Sequence, residues 1–597
     1  MASVTARNGS ATPPVAEESL WKQLAVIRRI FHASPVFKTL LIISAGSFLV
    51  VVFTALGQIV LNQWNQPFYD AIERRNLDAF FHQLQIFAAI AGGMLLLNIS
   101  QQWLNQRFRL KLREGLTRDL ICEWMLPRRA FRLANAGAIG VNPDQRMQED
   151  AGHLADLTTD LAFGLLQSSI LLVSFVGVLW SLSEGFAFHI GGRVFDIPGY
   201  MVWAAIIYAG SASWLSWRVG RPLIALNSER YNREAALRFT MMRVNEHIDS
   251  ISLGGGETGE RQKLENDLGS VLTAMRNIFR AQINLSWVVD SYGWVTVVAP
   301  ILVAAPVYFS GHISFGGLMM AVGAFNQVHS SLRWFVANIG AITDWRATLH
   351  RVTAFRSALL ETDALNEAEG HIEFVLNDAN HMTIDRLDVV SPSGRTRLEE
   401  PHVEIKAGER VVITADPGIG KTLLFRAMAG LWPLGSGRVG LPKDQSITFL
   451  PRTPYMPPGK LREVLSYPHG NTFSDEDLAD ALSRVGLQRM VPMLDTEARW
   501  DRELSDDDER LLAFARILLH RPRWIVMDEV LEAMEPQCLR RVLAILQDDL
   551  EDATVISIGR PVPERNLFSR RLQLIKDTRP AERLAARPDK SLEGTTA

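Results

Sequence analysis

Long apolar stretches fill the first 340 residues or so of the chain and give way afterwards to short ones. Charge-free runs occupy residues 39–69, 80–106, 161–183, 197–217 and 291–309, and a sixth, 315–342, is interrupted by Arg333. Crossing a bilayer takes about 20 apolar residues in a helix, so this pattern predicts six transmembrane helices. From residue 351 onward the apolar runs are short. Arg410-Val411-Val412-Ile413-Thr414 reads as a strand, and residues 423–430 read as a helix behind a glycine-containing loop. The predicted fold class is an α-helical membrane domain (36–350) followed by an α/β P-loop nucleotide-binding domain (351–577). Polar tails at 1–35 and 578–597 are expected to be disordered.

Charge changes the picture by where it sits. The connection after the second run carries Arg107, Arg109, Lys111, Arg113 and further arginines to Arg146, and the connection after the fourth is equally basic from Arg218 to Arg280. Basic connections stay in the cytoplasm, which predicts a multi-pass membrane protein with both termini inside. These connections have helical periodicity, so the membrane helices are expected to continue into the cytoplasm and turn there, at 142–150 and at Gly254-Gly255-Gly256-Glu257. Either turn is a candidate contact with the nucleotide domain. Asp290 falls at the inner boundary. His329 and Arg333, four residues apart on one helix face, either line a polar pathway or pair neighbouring helices.

Composition narrows the alternatives. A net charge of −3 with no basic stripe gives no case for nucleic-acid binding. Cys122 and Cys538 are too few and too far apart for a disulfide framework or a metal cluster, and read as buried spectators. The first residues lack the pattern of a cleavable signal.

The candidate chemistry lies in ADPGIGKT, Ala415 to Thr422. Between a strand and a helix, such a loop wraps backbone N–H groups around phosphate. The expected nucleotide-binding set is Ala415, Asp416, Pro417, Gly418, Ile419, Gly420, Lys421, Thr422 and Leu423, with Lys421 on the β- and γ-phosphates and Thr422 on Mg²⁺. Downstream, Trp524-Ile525-Val526-Met527 is an apolar strand ending in Asp528 and Glu529. In a P-loop protein Asp528 helps hold Mg²⁺, and Glu529 is the candidate catalytic base that orients or deprotonates the attacking water. ATP and Mg²⁺ are therefore the expected cofactors.

Six apolar spans, two long cytoplasmic excursions and a P-loop domain resemble an ABC half-transporter of the exporter type. Within that superfamily the chain is similar to the bacterial SbmA/BacA-like peptide transporters in their longer, ATPase-fused form. The strings that carry the resemblance include LNQWNQPFYD from Leu61, AGLWPLGSG from Ala429, LPRTPYMPPGKLRE from Leu450 and LAFARILLHRPRW from Leu512. It implies an ATP-driven subunit that moves peptides or similar bulky solutes as a homodimer or heterodimer in membrane lipid.

Several positions depart from the family pattern. Arg452 stands where a glutamine is usual and cannot accept a hydrogen bond. The signature loop reads Leu504-Ser505-Asp506-Asp507-Asp508-Glu509, keeping Ser505 but placing Asp507 where glycine belongs, with its carboxylate expected to face the triphosphate. Glu532-Ala533-Met534-Glu535 stands for Ser-Ala-Leu-Asp, a mild change at its last position. Arg560 follows Gly559 where a histidine is usual. These departures put hydrolytic turnover in question. The alternative they support is a degenerate cassette acting as a regulatory module on an ion-gradient-driven transporter.

Overall fold

The computed structural model describes residues 20–577, apart from 34, 135–141, 184–186, 191–192, 365–370, 379, 392–393, 417, 433, 444, 471–472 and 562–566. The expected tail at 578–597 and most of the expected tail at 1–35 lie outside the described residues. Among the described residues two compact units form: those up to 126 with those of 137–359, and those of 127–136 with those from 360 onward.

The first unit is helical. Phe37–Glu73, Leu77–Trp124, Pro143–Ser183 and Glu257–Phe309 are each long and apolar enough to cross a membrane. The remaining two predicted spans are helices as well, Tyr200–Gly220 and Phe315–Ala337. Serines and indoles in the first, and amides, His329 and Arg333 in the second, leave them less apolar than the other four. Exposed Leu95, Leu96, Trp103, Ile207, Trp287 and Trp294 give this unit an apolar exterior suited to lipid. Its core gathers Leu171, Phe175, Leu179, Met201, Ala205 and Phe325 with their neighbours.

Small residues let two helices approach closely. A Cβ at Gly316 would collide with the carbonyl of Gln66, and one at Gly323 with the amide of Asn62. The same contact caps a helix. Asp70 accepts from the Gly316 N–H at 2.7 Å and from the Ser314 hydroxyl at 3.0 Å, placing a carboxylate at the start of Phe315–Ala337.

Three expectations, on residues 20–33, on the domain boundary and on Cys122, are corrected here. Leu20–Ala33 is a helix rather than part of a disordered tail, because its apolar residues recur at helical spacing. Residues 142–150 fold within the first unit. There the buried Asp150 is paired with Arg146 at 2.5 Å and Arg351 at 3.0 Å, which ties a π-helical turn to the helix Ile339–Ala364. The domain boundary falls after Leu359 instead of at 350, because that helix runs on and buries Phe355 and Leu359. Cys122 is exposed, not buried.

The segment that folds with the second unit is 127–136. Arg426 lies over the Phe131 ring at 5.8 Å, and Arg128 lies over the Phe374 ring at the same distance. Gly430, at φ +70°, leaves room for the Arg128 guanidinium.

The second unit is built on a twisted sheet whose parallel strands run in the order Ile447–Leu450, Trp524–Asp528, Thr554–Ile558, Arg410–Thr414 and Arg570–Asp577. Gly394–Leu398, His381–Ser391 and Gly435–Pro442 extend it antiparallel. Val411, Ile413, Ile525, Val526, Val555 and Ile556 are fully buried, as expected of parallel strands covered on both faces. Thr414, Asp528 and Ile558 end neighbouring parallel strands at one edge. Their following loops meet outside the carboxyl ends, where ligands of such sheets bind.

Candidate nucleotide-binding site

The phosphate loop begins where Arg410–Thr414 ends. Gly418 and Gly420 sit at φ +81° and +107°, conformations open to glycine and strained for other residues. At Gly420 space is short as well, since an added Cβ would lie 2.8 Å from Thr396 Oγ1. That hydroxyl donates to the Ile419 carbonyl at 2.6 Å and fixes the loop from the strand Gly394–Leu398. The amides of Leu423 and Leu424 both donate to the Gly420 carbonyl and start the helix Lys421–Met428. A helix start with free N–H groups favours bound anions. Ala415 is partly buried against the core, Asp416 is exposed, and Pro417 lies outside the described residues.

Lys421 and Thr422 follow as the motif requires. Lys421 is 9% exposed, and its ammonium lies 2.5 Å from Glu529 and 3.5 Å from Glu532. Asp528 ends its strand 3% exposed, hydrogen-bonded by the Thr422 side chain, while its Oδ1 has no partner among the described residues. Burial pushes the Asp528 carboxyl above the ordinary carboxylate range, and the neighbouring Glu529 adds to the effect. An unsatisfied buried carboxylate oxygen beside a hydroxyl is a donor set that fits Mg²⁺, a hard cation with oxygen ligands. Thr422 and Asp528 are thus brought together.

Glu529 has a left-handed backbone, φ +54°, and its amide donates to the Ile558 carbonyl at 2.8 Å. Its carboxylate faces Lys421 on one side and Arg452 on the other, with 3.6 Å to the guanidinium. Arg452 therefore pairs with the candidate base.

Glu532 is the residue whose role the sequence did not reveal. It accepts from the Arg560 amide at 2.8 Å and adds a second carboxylate beside Lys421. A mild change was expected only at the last position of 532–535, Glu535. Only the fold brings Glu532 back over the phosphate loop. Arg560 itself is exposed. Thr396 was also missed, since nothing local marks a strand threonine as a loop support.

The signature-like segment corrects another expectation. Ser505 caps the helix Asp506–His520 by accepting from the Asp508 amide at 3.2 Å. Asp507 turns inward. It binds Arg510 at 2.9 Å and accepts from the Glu535 amide at 3.2 Å. Arg510 is 6% exposed and also donates to the carbonyls of Ala533 and Arg452. Asp508 pairs with Arg489 at 2.5 Å, which leaves Asp506 as the exposed carboxylate of the three. The charge that sequence spacing aimed at a triphosphate is mostly neutralised within the domain.

Comparison with known proteins agrees with this architecture. Residues 27–309 match the family model of the ABC transporter transmembrane region 2, and residues 398–532 match that of the ABC transporter. The chain is 26% identical over 503 residues to the inner membrane ABC transporter ATP-binding protein YddA of Escherichia coli K12, spanning 84% of this chain and 88% of that protein. An uncharacterized ABC transporter ATP-binding protein of Haemophilus influenzae is 28% identical over 530 residues, 88% of each chain. ABC transporter D family member 2, chloroplastic, of Arabidopsis thaliana is 25% identical over 624 residues, 92% of this chain and 86% of that one.

Proposed function

We propose, from the premise that the chain is a half-size ABC transporter with one membrane region and one ATP-binding domain, that it dimerises in a bacterial inner membrane and moves peptides or similar bulky solutes by hydrolysing ATP. The observation that carries the ATP reading is the convergence of Lys421, Thr422 and the orphaned Asp528 oxygen at one sheet edge. The cargo class and the SbmA/BacA-like grouping rest on the resemblance of the membrane and cassette strings. The basic connections support cytoplasmic termini.

In this reading the loop amides and Lys421 bind the phosphates, and Thr422 and Asp528 would hold Mg²⁺, which would supply charge neutralisation to the phosphates. Lys421 exchanges its carboxylate partners for phosphate. Glu529, released on that side, orients the attacking water and takes its proton, while Arg452 holds the carboxylate in place. A second chain completes the site across a dimer interface through the segment capped by Ser505.

The test is MgATP turnover by the full-length protein in lipid, with Glu529→Gln as the control. Turnover that falls at least about 100-fold in the variant supports an ATP-driven transporter. ATP binding without turnover in the unaltered protein overturns that reading. It points instead to a regulatory cassette, as the pairing of Glu529 with both Lys421 and Arg452 would favour.

A further inference from the structure

A cavity of about 440 Å³ in the membrane unit lies where Tyr200–Gly220, Glu257–Phe309 and Phe315–Ala337 come together. Arg221, Arg333, His329 and Asn227 supply its polar wall, and no Asp or Glu lines it among the described residues. Arg333 makes no ion pair among those residues, and Arg221 lies over the Trp217 ring at 5.8 Å. Two cationic side chains thus face one space without a counter-charge. Apart from Ser213, Ser216 and Tyr292, the rest of the wall is mostly apolar, with Ile224, Leu285, Val289 and Val336 prominent.

Depth says what the cavity meets. At 1.5 Å per residue, Tyr200–Gly220 carries Arg221 about 31 Å from its start, and Arg333 lies about 27 Å along Phe315–Ala337. Both distances match a hydrocarbon core about 30 Å thick. Because the C-terminal ends of both helices line the same cavity, both arginines fall at the height along their helices where headgroups would lie. Trp217 and Tyr292 are the aromatic types that favour this boundary. His329, about 21 Å along its helix, lies deeper.

We propose that this cavity is a binding site for an anionic glycerophospholipid, with the phosphate between Arg221 and Arg333 and one acyl chain along Leu285, Val289 and Val336. Basic pockets between membrane helices bind anionic headgroups in this way. The site is separate from the nucleotide chemistry, and its readout needs no turnover.

The test is native mass spectrometry of the full-length protein in mild detergent, titrated with phosphatidylglycerol or with phosphatidylcholine of the same chains. Each basic group near an anionic headgroup is worth about a fivefold preference, so the unaltered protein should retain phosphatidylglycerol at least about fivefold better. The pair Arg221→Gln and Arg333→Gln should abolish the preference, and Arg221→Lys with Arg333→Lys should keep it. Should the Gln pair fail to fold, Val289→Trp, which fills the apolar arm, should lose the bound lipid. Equal retention of both lipids, or a preference that survives the Gln pair, overturns the proposal. So does displacement of phosphatidylglycerol by millimolar inorganic phosphate, which would mark a site for free anions.

Discussion

At the residue scale, substitutions in the nucleotide site act through charge. Glu532 places a carboxylate beside the lysine that must meet phosphate. A like charge about 5 Å away costs about 3 kcal/mol at an effective dielectric near 20, and the partial exposure of Glu532 lowers that. Glu532→Ser should therefore bind MgATP about tenfold more tightly, measured by nucleotide titration of the purified protein. Weaker binding would show that the Glu532 bond to the Arg560 amide organises the site. Asp528 behaves in the opposite sense. Its carboxyl is raised by burial, so its ionisation costs stability. The cost is absent below the ordinary carboxylate pKa, where folded and unfolded forms are both protonated, and grows as pH rises through the raised value. Without nucleotide at neutral pH, Asp528→Asn should melt about 2–4 °C higher, the shift expected for about 1 kcal/mol, and this gain should shrink as the pH falls. A variant that melts lower at neutral pH would count against the orphaned charge. Neither effect was legible in sequence, because both depend on which side chains the sheet edge brings together.

At the element scale, the phosphate loop shows how far local sequence reaches. The glycines, the lysine and the flanking strand and helix were all readable, because the loop's geometry is set by residues adjacent in the chain. The support from Thr396 was not, since its strand lies some twenty residues upstream. Gly420→Ala sets a positive φ against a Cβ that would press on that hydroxyl. Its cost should be about 1–3 kcal/mol, and ATP binding should fall at least about tenfold in a fluorescent-nucleotide assay. Unchanged affinity would mean the loop reshapes freely on binding. The segment at 504–509 gives the reverse lesson. Its acids read as a defect, and the fold pairs two of them with Arg510 and Arg489, of which Arg489 lies outside the motif.

At the scale of the whole molecule, the two-part organisation was written in the pattern of apolar lengths. Stretches of 20 residues or more without charge suit a lipid phase, and short β-branched runs suit a sheet covered on both faces, so the order of domains follows from the chain alone. The turn that joins the second unit did not follow. Residues 127–136 were legible only as basic charge, whereas their place beside Arg426 and Phe374 comes from contacts between positions some 240 to 300 residues apart. His329 and Arg333 were recognised as one helix face, but the cavity they share with Arg221 needs three helices to close. Sequence by itself determined the two kinds of domain, the phosphate loop and the carboxylates at the strand end, because each rests on short-range periodicity or on neighbours in the chain. Tertiary structure alone decided that Glu529 lies between Lys421 and Arg452, that Asp507 faces inward and that two arginines share one cavity. These are pairings of charges remote in sequence, and the energy of a charge depends on what the fold sets beside it.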